Sequence, residues 1–400
     1  MIIAGIIAEY NPFHKGHQYH IEQTRKVTGA DYVIAVMSPD FVQRGTPALM
    51  DKHTRAKMAL QGGADLVIEL PVNYACSSAE YFTTGGVVLL DSLQAVNFLS
   101  FGSECGDIDA LMKLGYALYD ESDKFQDTLK AELKKGASFP VARKRALSQE
   151  LPEYADILDS PNNILATEYC MSIINHHSHL KPVTIRRSAD NYHDTTLSEE
   201  HSSASAIRAT LLADEKILSG GDMTIDDMLD DVQDDIPAGA FETLKGNWAI
   251  NGPLCEDGFS SQLKYKLLSE TAETLTSYLD VSESLANRII KSLNKFESFS
   301  QFAELLKSKD LTRTRINRAL LHILLNIKDV QPIEYARILG FRKSAEPLLS
   351  AIKKSSSIPL VTKLSEVAYD VFATNLYESV LSEKYARSFV HEYSKPVVIV

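Results

Sequence analysis

The sequence predicts an α/β protein with a doubly wound parallel sheet over residues 1–213, an acidic linker or loop over 214–237, and a mainly α-helical domain over 238–400. Three observations carry this division. Short apolar runs alternate with helical stretches through the first half. GDMTIDDMLDDVQDD (221–235) then concentrates seven aspartates in one stretch. From about residue 238 the apolar period is helical, with few strand signals.

In the first half, IIAGIIAE (2–9), DYVIAVMS (31–38), DLVIELPV (65–72) and AVNFLSF (95–101) are continuous apolar runs, many of them rich in isoleucine and valine. Strands buried on both faces of a parallel sheet have this character. Between them, HQYHIEQTRKVTG, LMDKHTRAKMALQGG and AEYFTTGGVVLLDSL read as helices, the first two closing on glycine. Repeated βα alternation is the pattern of a doubly wound sheet. A further strand is expected at PVTIRRS (182–188), followed by the helix SASAIRATLLA (203–213). In the second half, LTRTRINRALLHILLNI (311–327) places Ile316, Leu320, Ile323 and Leu324 on one helical face, with Arg313, Arg315 and Arg318 largely elsewhere. The tail KPVVIV (395–400) fits a late edge strand.

Length and composition bound the function. With 400 residues, 44% of them hydrophobic and 24% charged, the chain reads as a soluble globular protein of more than one domain. Its apolar start is too short to span a bilayer and lacks a basic leader, so neither a signal peptide nor a membrane partner is expected. Cys76, Cys105, Cys170 and Cys255 have no paired spacing, which disfavours disulfides or a thiolate zinc site and suits a cytoplasmic setting. The net charge of −12 argues against a general nucleic-acid binder, and DNA is not an expected partner. Removing the seven aspartates of 221–235 leaves −5, and basic clusters lie elsewhere, at Lys130–Arg145 and Lys307–Arg318. These are solvated helix faces or local faces able to hold RNA.

The chemistry concentrates in EYNPFHKGHQYH (9–20), at the junction of the first strand and first helix. Ligands bind doubly wound sheets at the carboxyl ends of strands, and a helix N-terminus there favours anions. Three readings of His14 and His17 compete. A zinc pair on a helix prefers a spacing of four with a nearby glutamate, whereas here the spacing is three with Gly16 between. Structural histidines would need no glycine. Donation by both rings to a nucleoside triphosphate accounts for the glycine, the helix start and the first-strand position together, and Gly16 would let the backbone approach the ligand closely. His20, one turn later, reads as packing or peripheral.

The H-x-G-H junction resembles the Rossmann-like nucleotidyltransferase superfamily, which includes cytidylyltransferases, nicotinate-mononucleotide adenylyltransferases and class I aminoacyl-tRNA synthetases. SSASAIR (202–208) fits the S-x-S-x-x-I-R form of that superfamily's second motif. AEYNPFHKGHQYH, MSPDFVQRGTPA, RAKMALQGGADLVIELP, FGSE, SPNNILATEY, TIRRSADNYHD and SSASAIR, followed by LTRTRINRALLHILLN and YARILGFRKSAEPLL, resemble in the same order the bacterial tRNA(Met) cytidine acetate ligases. The resemblance implies activation of free acetate by ATP to acetyl-adenylate, with release of pyrophosphate. The acetyl group would then pass to N4 of the wobble cytidine 34 of elongator tRNA(Met), giving N4-acetylcytidine. Mg²⁺ is implied as the partner of the triphosphate.

Carried onto this chain, the resemblance makes His14 and His17 catalytic. It assigns nucleotide binding to Ile7, Ala8, Glu9, Tyr10, Asn11, Pro12, Phe13, His14, Lys15, Gly16, His17, Gln18, Tyr19 and His20. It adds Gly102, Asn162 in preference to Asn163, Arg187 with Arg186, and Ser203, Ser205 and Arg208. Gln43, Arg44 and Gly45 suggest a mobile loop, while Asp40, Lys52 and Arg55 either join the site or are solvated charges. Pro39 and Asp40 depart from the glycine and asparagine expected in the family. The aspartate-rich stretch is expected to be a surface loop away from the RNA. The alternatives are a small-molecule adenylyltransferase and a non-catalytic RNA-binding protein on the same fold.

Overall fold

The computed structural model describes residues 1–187, 203–218, 225–309, 311–363 and 368–400. Ser188–Asp194 of the TIRRSADNYHD stretch, Ser202 and Asp222 lie outside these residues. The chain begins with β1 (Ile3–Ala8), α1 (Lys15–Thr28) and β2 (Tyr32–Met37). A short hairpin, β3 (Phe41–Val42) and β4 (Thr46–Pro47), leads into α2 (Lys52–Gln61) and β5 (Leu66–Glu69). Then come α3 (Val72–Ala75), α4 (Ala79–Ser92), β6 (Phe98–Ser103) and α5 (Ile108–Tyr119). Helices α6 (Asp123–Lys134), α7 (Phe139–Leu147) and α8 (Pro161–Asn175) precede β7 (Lys181–Arg186). Next follow α9 (Ala204–Leu218), α10 (Ile225–Gln233) and α11 (Ala238–Trp248).

The second half contributes α12 (Ser260–Leu268), α13 (Ala272–Leu275), α14 (Glu283–Ser292), α15 (Phe299–Leu305) and α16 (Arg313–Leu324). It ends with β8 (Ala336–Phe341), α17 (Glu346–Ser355), β9 (Leu360–Val361), α18 (Ala368–Lys384) and β10 (Val398–Ile399).

The main sheet runs in the order β10-β8-β5-β2-β1-β6-β7, with β9 pairing β8. Strands β5, β2, β1, β6 and β7 are parallel, as their apolar runs predict, and β8 enters antiparallel to β5. From β1 the chain builds outward through β2 and β5, then crosses to the other side of β1 to lay down β6 and β7. The crevice between the carboxyl ends of β1 and β6 is therefore the topological switch point, where such sheets bind ligands.

Alternate strand residues feed the two faces. Val33, Ala35 and Val67 pack with Ile21 of α1, Ala59 of α2 and Ile207 and Leu211 of α9. Ile34, Val36, Leu66 and Ile68 pack with Val87 and Leu90 of α4 and Cys170 of α8. A separate core built from α12 to α16 and α18 buries the apolar face expected of α16, with Ile316, Leu320 and Ile323 fully enclosed.

Two expectations are corrected. The stretch read as an acidic linker is helical over Ile225–Gln233, because Leu229, Val232 and Ile236 recur at helical spacing and enter the core beside α9. The second half is mainly helical and its tail is an edge strand, both as expected, but it is not a domain apart from the sheet. ARILGF forms β8 against β5, and the tail strand β10 pairs with β8, so the sheet draws strands from both halves of the chain. Among the described residues no helix is long and apolar enough to cross a membrane.

Candidate active site

The loop from β1 to α1 is held from below by its own side chains. Tyr10, Asn11 and Phe13 are buried, and Tyr10 adopts the left-handed conformation with φ 47°. Asn11 Oδ1 accepts the Leu49 N–H at 2.8 Å, and Phe13 lies over Gly62 at the end of α2. Burial pushes the Tyr10 hydroxyl well above its ordinary pKa, so it stays protonated. These three residues shape the loop, and they do not present their side chains at its surface.

His14 is the N-cap of α1, and the two histidines close a reciprocal capping box. His14 Nδ1 accepts the Gly16 N–H at 3.1 Å, while His17 Nδ1 accepts the His14 N–H at 3.3 Å. The rings lie 3.8 Å apart between centroids, and Tyr10 meets His17 edge-on. Because each Nδ1 spends its lone pair on a backbone N–H, each neutral ring carries its proton on Nε2. Both histidines are thus set as Nε2–H donors at a helix N-terminus. A Cβ on Gly16 would come within 2.8 Å of His14 Cε1, so this glycine makes room for the capping ring; its role is not only to let a ligand near.

Electrostatics keep His17 neutral. Burial lowers its pKa well below 6.5, and His14, Arg187, His20 and Arg208 push the same way. His20 is not peripheral. Its Nε2 contacts Ser100 Oγ at 3.1 Å, Ser100 in turn meets Thr24 at 2.7 Å, and burial with the Arg187 charge lowers its pKa to about 4.

The second motif docks directly on this loop. Ser203 Oγ accepts the Ala206 N–H at 3.1 Å and so caps α9. Arg208 donates to the Asn11 carbonyl at 2.6 Å and to Ser205 Oγ at 3.1 Å. Arg187 and Arg186, consecutive at the end of β7, separate onto opposite sides. The Arg187 stem lies over Gly102, where a Cβ would sit 3.0 Å from its Cδ, and its charge reaches His17 and His20. The Arg186 stem instead lies over Gly106.

Asn162 and Asn163 separate as clearly. Asn163 is buried, accepts the Glu104 and Cys105 N–H groups, and donates to the Ile157 carbonyl. Asn162 is half-buried and donates to Glu104 Oε1 at 2.7 Å. Of the other candidates, Lys15 and Tyr19 are exposed on α1, Ile7, Ala8, Glu9 and Gln18 are half-buried, and Pro12 is buried.

The aspartate-rich segment is not remote from this site: the Lys15 N–H donates to the Asp235 carbonyl at 2.8 Å. Nor are Arg55, Lys52 and Asp40 solvated. Arg55 is fully buried and donates to the carbonyls of Glu9, Ser38, Pro39 and Met50, tying the loops after β1 and β2 together. Lys52 is equally buried, between Glu69, Glu392 and Thr374. Asp40 accepts the Lys52 N–H at 2.8 Å, and burial raises its pKa. The stretch 43–45 is the tip of the β3–β4 hairpin. The Gln43 N–H donates to Glu9, and Gly45, with φ 73°, abuts the α16 backbone at Asn317–Arg318. Sequence reasoning missed Ser100 and Thr24 behind His20, and no local signal marks them.

A histidine pair capping the first helix at the switch point, with a Ser/Arg helix start docked against it, defines a nucleotidyl transferase of the HIGH type. The family model described as HIGH Nucleotidyl Transferase matches residues 1–392. The tRNA(Met) cytidine acetate ligase of Clostridium perfringens is 41% identical over 399 residues, covering 94% of this chain and 95% of that protein. The ligase of the same name from Thermoanaerobacter sp. is 41% identical, covering 94% and 92%. The crystal structure of Thermotoga maritima TmcAL bound with alpha-thio ATP superposes with a TM-score of 0.88 at 31% identity, covering 100% of this chain and 99% of that one. This chain belongs to the HIGH nucleotidyl transferases and, within them, to the tRNA(Met) cytidine acetate ligase family.

Proposed function

We propose that this protein is an ATP-dependent ligase that activates acetate as acetyl-adenylate and transfers the acetyl group to N4 of the wobble cytidine of elongator tRNA(Met). The observation that supports the reading is the capping box, which occupies both Nδ1 atoms and leaves the two Nε2–H groups as donors at the start of α1. His14 and His17 would hold phosphate oxygens of ATP, helped by the amide-rich start of α1. Arg187 and Arg208 would offset the charge that develops as pyrophosphate leaves. An acetate oxygen attacks the α-phosphorus, the bond to pyrophosphate breaks, and the mixed anhydride forms. Cytidine N4 then attacks the acetyl carbonyl, AMP departs and one proton is released.

In this reading Arg187, Gly102 and the stretch 7–20, apart from the enclosed side chains of Tyr10, Asn11 and Phe13, contact the nucleotide, and Arg186 does not. Asn163 is structural, while Asn162 borders the site. Among the described residues no group of three or more His, Cys, Asp or Glu side chains forms a metal cage. Mg²⁺ would serve as the counter-ion of the triphosphate. The segment 238–400 would help hold tRNA, since α16 reaches the site through the β3–β4 hairpin. A cytoplasmic location accompanies this substrate pair.

The test uses labelled acetate, ATP, Mg²⁺ and unmodified tRNA(Met), with detection of N4-acetylcytidine. Acetate should also stimulate ATP–pyrophosphate exchange without tRNA, and His17→Ala should lose both activities by about 100-fold or more. Exchange stimulated by a mononucleotide and not by acetate would overturn the proposal in favour of a small-molecule adenylyltransferase.

A further inference from the structure

Away from the histidines, the chain segment after α18 forms a surface that the ATP chemistry does not use. Phe389, His391 and Tyr393 make a continuous row of rings. His391 stacks on Tyr393 at 4.6 Å and 25°, and Phe389 meets His391 edge-on at 6.2 Å. Phe389 and Tyr393 remain 48% and 45% exposed, an unusual outlay of aromatic surface on a water-facing segment. Between them the buried Glu392 anchors the segment through contacts with His53, Lys52 and Arg337.

The same chain segment also supplies Arg387, Val390 and Lys395 to the lining of a cleft of about 280 Å³, which Asn247 and Asn251 line as well. That is close to the lower end of ligand-pocket size, enough for one nucleoside-sized group. Its charges are balanced. Arg387 and Lys395 share the Glu378 carboxylate, and Asp51 lies at the edge as the cap of α2. A bare phosphate gains little there. Asn247 donates to Thr54 and Asn251 accepts from Arg387, so the Asn247 carbonyl oxygen and the Asn251 amide N–H are left to meet the edge of a planar, uncharged group.

The cleft is also tied to the catalytic loop. Asn11 of that loop accepts from Leu49, and Asp51, Lys52 and His53 follow within one helical turn, with His53 in contact with Glu392. On a chain of net charge −12, general attraction to an RNA backbone is weak, so base contacts must supply more of the binding.

We infer that the Phe389–His391–Tyr393 row and the Asn247/Asn251 cleft form a subsite that stacks and holds an unpaired nucleoside of the tRNA anticodon loop while its neighbour is acetylated. This rests on tRNA being the acetyl acceptor. The test compares wild type with Phe389→Ala/Tyr393→Ala and with Phe389→Tyr/Tyr393→Trp, which retains the stacking faces. Acetate-dependent ATP–pyrophosphate exchange, tRNA acetylation, and binding of an anticodon stem-loop with intact or abasic loop nucleotides are measured.

The alanine pair should raise the KM for tRNA by about ten-fold or more while exchange stays unchanged, and the aromatic pair should restore it. Wild type should prefer the intact loop over the abasic one, and the alanine pair should lose that preference. A double variant that acetylates and binds like wild type overturns the subsite and leaves the ligase reading standing. Wild type that exchanges pyrophosphate but acetylates no tRNA overturns the acceptor assignment, and the subsite with it.

Discussion

His20 lies one turn beyond His17 on α1, and its neutral ring is bought at the expense of acid stability. Its pKa in the folded protein is lowered to about 4 by burial and by Arg187, against about 6.5 in an unfolded chain. Between those values the unfolded state takes up a proton that the folded state refuses. The contribution is therefore complete above pH 6.5 and is lost progressively as the pH falls toward 4. Each such histidine adds a slope of at most about 1.4 kcal/mol per pH unit, and His17 acts in the same direction. Urea unfolding at pH 7 and pH 5 should show a steeper loss for wild type than for His20→Gln; equal slopes would refute this. At this scale much of the site was legible. His14, Gly16, His17, Ser203 and Arg208 sit in short motifs whose spacing is itself the geometry. Arg186 against Arg187 and Asn162 against Asn163 were not, because only the packing over Gly102 and Gly106 and the loop after β6 tells neighbours apart.

Among the elements, α2 carries the least visible work. Its first residue, Lys52, enters the interior to meet Glu69 of β5 and Glu392 of the tail, while Arg337 of β8 binds both carboxylates from the other side. Burial works against the Glu392 carboxylate, yet the His53 hydrogen bond and the Lys52 and Arg337 charges hold it below the usual range. Replacing Lys52 by methionine leaves two enclosed carboxylates to one arginine and a histidine. The expected loss is about 3–5 kcal/mol in urea unfolding, and Glu392→Gln in the same chain should recover part of it. A loss below about 1 kcal/mol would show that the network is not what braces α2. No window of sequence could have revealed it, since Lys52 and Glu392 are far apart in the chain and each alone reads as an ordinary surface charge. The strands were legible for the opposite reason: a run buried on both faces announces itself locally.

For the whole molecule, the decisive fact is that the sheet is shared. The boundaries at 213 and 238 follow the acidic stretch and the change of period in the sequence, yet β5 takes β8 as its neighbour and Glu69 takes Arg337 as its partner. A fragment of residues 1–213 should therefore show no cooperative unfolding transition by circular dichroism, whereas the full chain should; a sharp transition in the fragment would establish an independent domain. The shared sheet also gives the protein a direction in time. During synthesis β1, β2 and β5 leave the ribosome well before β8, β10 and Glu392 exist, so the β5 edge stays open and Lys52 has Glu69 but not yet Glu392 beside it. A chain stopped before β8 carries an open β5 edge and a buried lysine short of one of its two carboxylates, features by which quality control tells an unfinished polypeptide from a finished one.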